Sequence, residues 1–408
     1  TTRISWPAMS QPLVAAGSLV WNGEVVKFET QIDDTAGIAS GNSSNIKLTV
    51  EANPVTASLS GLASIAADLA IDGELTMNSP SLRALTRWIG SEMPPGPGFG
   101  ALKLDTHVTV GGHKISLSKS KLTLDGNKAE GAVTIRNDKE TGYIQATLAL
   151  ADLNLNPYLA GSGTNPETGS GNAGSSGQGE TWSTDPYDFS PLRFIDADLR
   201  ISANKIIAGE LDLGSGALTA NLQQGRLATE LVEIQAYQGH ISGTVVINAR
   251  GSIPSMTAKL NVSEANLGPL LEHVAGFNKL KGIGNLGVDL AASGASQLEI
   301  FQSLSGLVDL QVTNGRIIGV DVANILKSYQ EKRLDSLLLG AGGETAFDFL
   351  ESAFAIEKGV ARNDNLVVQA PTFRVTGNGV ADIVGRTLDY RLEAALIGPA
   401  DNTDATPS

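Results

Sequence analysis

Apolar side chains recur at every second position over most of this chain. Val108 and Val110, then Ile115 and Leu117, illustrate the pattern, and the runs end at Gly, Asn or Asp. A period of two puts alternate residues on opposite faces of a pleated strand, so these segments are predicted to be half-buried β-strands. Between Leu117 and Leu122 the apolar parity changes from odd to even positions. A bulge or tight turn near Lys119 to Lys121 must therefore re-phase the strand, or one set of leucines would face water.

The pattern also repeats. Gly131, Val133 and Ile135 are followed by Leu148, Leu150, Leu155, Tyr158 and Leu159. Gly243, Val245 and Ile247 are followed at matching offsets by Leu260, Val262, Leu267, Leu270 and Leu271. The same alignment places Asn156-Pro157 on Gly268-Pro269 without a gap, which marks an internal repeat. A weaker copy precedes these two, with Leu75 and Met77 as strand and Ser79-Pro80 opening a helix that carries Leu82, Leu85 and Ile89. Each unit is thus expected to end in a short amphipathic helix. A longer helix is predicted from Asp321 to about Leu339, with Val322, Ile325, Leu326 and Tyr329 on one stripe, stopped by Gly340-Ala341-Gly342-Gly343. Strands follow at Phe347 to Ile356, Leu366 to Gln369, Phe373 to Val375 and Tyr390 to Leu396.

Two breaks interrupt the pattern. Pro94-Pro95-Gly96-Pro97-Gly98 is a turn-rich joint. Residues 161–190 begin with a run of Gly, Ser, Thr and Asn that has nothing apolar to bury, and read as a flexible linker or long loop. This gives an N-terminal β-rich repeat region at 1–160, the linker, a C-terminal β region at 191–397 with the helix near 321–339, and a disordered tail at 398–408.

Composition narrows the function. Acidic residues outnumber basic ones by 43 to 29, for a net charge of −14, which argues against nucleic acid as a partner. The absence of cysteine removes disulfides, thiolate nucleophiles and thiolate metal sites together. The longest apolar candidate, around Ala57 to Ile71, is broken by Ser58, Ser60, Ser64 and Asp68 and cannot span a bilayer. The chain begins at Thr1 rather than Met, so a removed signal peptide or N-terminal anchor is expected.

No constellation points to catalysis. Gly282-Ile283-Gly284-Asn285-Leu286-Gly287 matches a dinucleotide fingerprint, but a helix ending near Asn278 precedes it and a strand follows, the reverse of the required order. A turn entering a strand is the better reading. Of the four histidines, His107 falls in a strand, and His113 and His240 sit beside glycines at turns. Together with His273 they are too dispersed for a metal site. Asp33-Asp34 and Asn363-Asp364-Asn365 read as polar turns whose side chains bond their own backbone. No nucleophile elbow, zinc-protease motif or Walker sequence is present. The chain is expected to be non-enzymatic, with no cofactor and no metal.

The segment from Phe301 to Val322 and the segment from Thr345 to Leu392 resemble the C-terminal region of the AsmA family of Gram-negative envelope proteins. The features that match are Leu304-Ser305-Gly306, Asn314-Gly315 ahead of Gly319-Val320-Asp321, Gly359-Val360, and Gly377 with Gly379 before Asp382. The resemblance is clearest from about Leu192 to Leu396. It implies a periplasmic protein held in the inner membrane by an N-terminal helix that this sequence lacks. It also implies a long curved antiparallel sheet whose apolar groove conducts phospholipids towards the outer membrane, shorter relatives being linked instead to outer-membrane assembly.

The fold class expected is mainly β: an elongated, curved antiparallel β-sheet forming a groove or half-pipe, with short amphipathic helices. Val133, Ile135, Leu148, Leu150, Val245, Ile247, Leu260 and Val262 are the candidate lining of that groove, with phospholipid or another acyl lipid as the partner. The same residues would equally fill a closed sandwich core. A scaffold that holds envelope proteins through strand edges or the 321–339 helix is the alternative function.

Overall fold

Alternation in the sequence becomes strand along most of the chain. The computed structural model describes residues 2–8, 11–66, 68–91, 93, 96–137, 141–159, 182–209, 211–331 and 341–397. The chain divides into two compact units, residues 1–174 with 188–229 and residues 175–187 with 230–408. Residues 191–229 therefore cluster with the first unit.

The first unit is a meander of antiparallel strands: β1 (Thr2–Ser5), β2 (Leu13–Trp21), β3 (Glu24–Ile32), β4 (Ser44–Ala52), β5 (Val55–Ile65), β6 (Leu69–Ser79), β7 (Leu102–Gly111), β8 (Lys114–Leu124), β9 (Asn127–Arg136) and β10 (Tyr143–Asn154). β11 (Asp196–Ala208) then pairs with β10 in parallel, against the expectation of antiparallel pairing throughout. A parallel neighbour needs a connection of a dozen or more residues, and the stretch between Asn154 and Asp196 supplies it. β12 (Leu211–Leu213) and β13 (Gly216–Gln223) fold back on β11, and β14 (Arg226–Ala236) carries the chain into the second unit. There, β15 (Gly239–Asn248), β16 (Ser255–Asn266), β17 (Leu280–Ser293), β18 (Ser305–Val320), β19 (Ala341–Glu357), β20 (Val360–Gln369), β21 (Phe373–Asp382) and β22 (Thr387–Leu396) pair in order, all antiparallel.

Short helices fill the connections: α1 (Thr35–Ala39), α2 (Leu82–Trp88), α3 (Asn156–Leu159), α4 (Leu267–Ala275), α5 (Gln297–Ser303) and α6 (Val322–Gln330). The repeat places α2, α3 and α4 directly after a strand, as the spacing predicted. α2 opens later than expected. Its cap is Ser81, which accepts from the Ala84 N–H, whereas Ser79 is buried and donates to the Pro54 carbonyl. α4 ends on Gly276 in the left-handed conformation. The longer helix predicted to Leu339 is described to Gln330, and 332–340 lie outside the described residues. Ala341, Gly342 and Gly343 are the first residues of β19 rather than a helix stop. Of the predicted linker, 161–181 lie outside the described residues, as does the tail from 398. No helix of the described residues is long and apolar enough to cross a membrane.

Within each unit the sheet is bent at defined places. The re-phasing predicted near Lys119 is a bulge: Lys119 has φ 51°, and the β8–β9 register shifts between Leu117 and Ser120. Similar shifts interrupt β7–β8, β16–β17, β17–β18, β19–β20 and β20–β21. An extra residue on one strand bends it and increases its twist, so the sheets curve. The repeat glycines do matching work. Gly131 and Gly243 have φ +157° and +139°, and a Cβ on either would stand 2.0 Å from the carbonyl oxygen of Thr147 or Lys259 on the neighbouring strand.

Two readings of turns are corrected. Gly282 to Gly287 lie inside β17, with Gly282 at a register shift against β18, so the glycines serve strand packing rather than a turn. Asn363-Asp364-Asn365 lie inside β20 at a bulge between Asn363 and Leu366. The reading of Asp33-Asp34 holds: Asp34 caps α1 by accepting from the Gly37 N–H.

Candidate functional site

Directly opposed residues of an antiparallel pair point to the same side of the sheet, so register alone defines the two faces of the first unit. Ile46, Leu48 and Val50 of β4 lie opposite Gly61, Leu59 and Ala57 of β5. Leu104 and Val108 of β7 lie opposite Leu122 and Leu117 of β8. Val133 and Ile135 of β9 lie between Leu117 and Ile115 on one side and Ala146 and Ile144 of β10 on the other. Leu148 and Leu150 lie beside Ile201 and Ala203 of β11. One side of the sheet is therefore apolar from strand to strand. The other side carries Lys47, Ser58, Ser60, Asp72, Glu74, Lys103, Asp105, Lys128 and Glu130, all exposed.

Among the described residues every named strand is hydrogen-bonded into the sheet. The short helices α1 and α3 pack on β4, β5 and β11. Val133, Ile135 and Leu148 are half-buried, while Leu150 is buried. At the α3 end the face is closed more tightly. Tyr158 packs on Phe99 with ring centroids 5.5 Å apart, and burial pushes its hydroxyl pKa up to about 12.

The second unit repeats the arrangement and closes one end of it. Val245 and Ile247 of β15 lie opposite Ala258 and Met256 of β16. Leu260 lies between Gly243 and Val288 of β17, and Val262 between Ile241 and Leu286. Val262 is buried in a cluster with Leu267 and Leu270 of α4 and with Leu280, Val312, Phe347, Leu350, Val368 and Phe373. Leu267 and Val312 are 0% exposed there. Val245, Ile247 and Leu260 lie outside that cluster and are half-buried. The register thus brings the first four candidate residues together on β9–β10 and the second four together on β15–β16.

Polar groups missed from sequence also stand on these sheets. Asn363 is buried and donates to Ser352 Oγ at 3.0 Å and to the Ala353 carbonyl at 2.7 Å, while Tyr390 donates to its Oδ1. The notch satisfies itself. On the polar side of the first unit His107 sits between two carboxylates, with Nδ1 2.9 Å from Glu74 and Nε2 3.3 Å from Asp72. The Glu74 hydrogen bond chiefly raises the His107 pKa above its ordinary value; desolvation opposes it, and the charges of Asp72 and Glu74 and the Asp72 hydrogen bond add to the rise. His113 lies in the β7–β8 turn, His240 in β15, and His273 on α4 bonded to the Tyr237 hydroxyl at 2.9 Å. Among the described residues no group of three or more His, Cys, Asp or Glu is placed to hold a metal ion.

Residues 182–187, the described part of the predicted linker within the second unit, are packed against it. Trp182 stacks on Phe301 with centroids 4.0 Å apart, Arg386 lies over the indole, and Nε1 donates to the Ile383 and Val384 carbonyls. No periodic signal foretold this contact.

A mostly antiparallel sheet with one apolar and one charged side, bent by bulges and joined among the described residues by short helices, defines a class of β protein that presents an extended apolar surface. The sequence model of the AsmA family matches residues 31–366, and the chain belongs to that family. Protein AsmA of Escherichia coli (strain K12) is 20% identical over 317 residues, which is 74% of this chain and 49% of that protein. The chain thus spans about half the length of the curated relative it matches. No solved structure matches it.

Proposed function

We propose that this chain is the lipid-handling part of a non-catalytic, AsmA-type envelope protein, residing in the periplasm and tied to the inner membrane. Acyl chains of phospholipids would lie along the apolar sides of its sheets on their way between inner and outer membrane. The observation that carries this reading is the apolar side of the first unit, which continues from strand to strand from β4 to β11. Leu104, Val108, Ala146 and Leu150 are buried there, while Ile46, Leu48, Leu59, Val133, Ile135 and Leu148 stay partly exposed; hydrocarbon in contact with water is unfavourable by about 25 cal/mol per Å², and acyl chains remove that cost without needing fixed geometry.

The test is lipid mass spectrometry on the chain purified from cells without detergent. Phospholipid should be recovered in at least stoichiometric amount. Val133→Asp and Val245→Asp should each lower it, because a carboxylate set among acyl chains costs about 2 kcal/mol or more, enough for a tenfold loss of local affinity. Lipid-free protein, or lipid content indifferent to both substitutions, would overturn the reading.

A second reading has one observation behind it. β22 closes the second unit with Leu388 and Leu392 71% and 61% exposed, a strand to which a protein partner could add one of its own. A photocrosslinker at position 392 that captured an envelope protein, in place of lipid, would favour an assembly role.

A further inference from the structure

The tip of the β2–β3 hairpin departs from the two-sided pattern of its unit. Further along β3 and β4 the side opposite the apolar one carries Lys27, Glu29, Gln31 and Lys47. Near the tip exposed apolar residues stand on both sides, with Glu24 opposite Trp21 as the charged exception. Leu19 and Trp21 are 48% and 43% exposed on one side, and the opposed pair Val20 and Val25 are 71% and 58% exposed on the other.

The tip is also braced. Trp88, the last residue of α2, donates from Nε1 to the Trp21 carbonyl at 3.1 Å, and Asn22 Nδ2 donates to the Trp88 carbonyl at 2.7 Å. The two indoles meet edge to face with centroids 4.5 Å apart. Ile89, 54% exposed, extends the patch from the helix side. A hairpin with exposed apolar residues on both sides, braced by hydrogen bonds to α2, suits an interface that is apolar on one level and polar on the next better than a flat protein surface, which would cover only one side.

We infer that this tip seats in the interface of a phospholipid bilayer, with Trp21 and Trp88 at headgroup level and Val20, Val25 and Ile89 in the acyl boundary. Two features select a bilayer as the occupant. Exposed Arg87 and Lys27 border the patch as cations that complement headgroup phosphates, and tryptophans concentrate where one end of the ring is apolar and the other wet. The inference rests on the lipid-handling reading and extends it. Leu19 and Val26 share the side of the sheet that continues through Phe28 and Val50, and Glu24 on that side has its carboxylate bonded by Asn53 Nδ2 at 2.7 Å.

Flotation of the full chain with phosphatidylcholine vesicles tests this, since a zwitterionic surface removes general charge attraction to a protein of net charge −14. The parent should float, with a blue shift in tryptophan emission. The V20D/V25D variant should bind about tenfold or more weakly, while V20T/V25T, which keeps strand propensity, should fall between them and guard against misfolding. Lipid recovered from V20D/V25D after purification should match the parent, because Val133, Ile135 and Leu148 are untouched. A parent that does not float, or a V20D/V25D variant that floats as well, overturns the inference and leaves the lipid-handling reading standing. Concentration-dependent dimers in sedimentation that V20D/V25D abolishes overturn it in favour of a second copy. Vesicle binding that depends on the tip, in a protein that carries no lipid, defeats the lipid-handling reading instead.

Discussion

Two leucines of the second unit separate an open apolar face from a closed core. Leu267, the first residue of α4, is 0% exposed among Val262, Leu280, Val312 and Phe347, so Leu267→Ala leaves a cavity in a closely packed core. The cost should sit in the upper part of the known range, about 4 kcal/mol. Leu260 is half-buried and outside that cluster. Its truncation loses part of a transfer term of roughly 2 kcal/mol and no cavity term, so about 1 kcal/mol is expected. The chain has four tryptophans. In a background with Trp6, Trp21 and Trp88 changed to Phe, the remaining Trp182, stacked on Phe301, reports the second unit. With a urea dependence of about 2 kcal/mol per molar, L267A should lower the midpoint by about 2 M and L260A by about 0.5 M. Equal shifts would refute the reasoning: Leu260 would then be filling a closed core, and an acyl chain would have nowhere to lie.

Two further outcomes follow from single positions. Gly243→Ala places a methyl against the Lys259 carbonyl oxygen at φ +139°. It should destabilise the second unit by about 2 kcal/mol or more in the same titration, and a neutral result would show the backbone relaxes freely there. His107 should titrate above 6.5 by NMR, with Glu74→Gln lowering its pKa more than Asp72→Asn. Because the folded pKa is the raised one, the stabilisation is complete below 6.5 and is lost as pH climbs through the folded value. Unchanged titration in Glu74→Gln would remove the assigned cause.

The strands were legible because alternation is a local property. Val133, Ile135, Leu148 and Leu150 needed only their spacing to be placed on one side of β9 and β10. The bulge at Lys119 was legible for the same reason, since a parity switch inside one run requires the strand to be re-phased within a few residues. Asn363 was not. Asn-Asp-Asn is turn chemistry in isolation, and only the pairing of β20 with β19 and β21 reveals a bulge whose amide is bonded to Ser352 and Tyr390. The glycines of β17 misled in the same way, because close packing against a neighbouring strand selects glycine as strongly as a turn does. The carboxylates around His107 come from register between β6 and β7. The docking of Trp182 joins residues about two hundred positions apart, beyond any periodic signal.

The second unit carries its own closed core, so it does not need a ligand in order to fold. Leu267 of α4 is shut off from water with Val312 and Phe347, whereas Val245, Ile247 and Leu260 outside that cluster are half-buried. A protein whose whole apolar surface had to be filled would unfold whenever a lipid left. One that is stabilised at one end can hold hydrocarbon along the rest and release it. The side chains concerned are mostly Val, Ile, Leu and Ala, and the polar groups among them are bonded within the protein: Thr106 to Ser120, and Asn363 to Ser352, Ala353 and Tyr390. Such a face has little with which to fix a headgroup at any one position. On the proposed reading it therefore favours passage along the strands over tight capture, and discrimination between lipids has to come from acyl-chain length and packing.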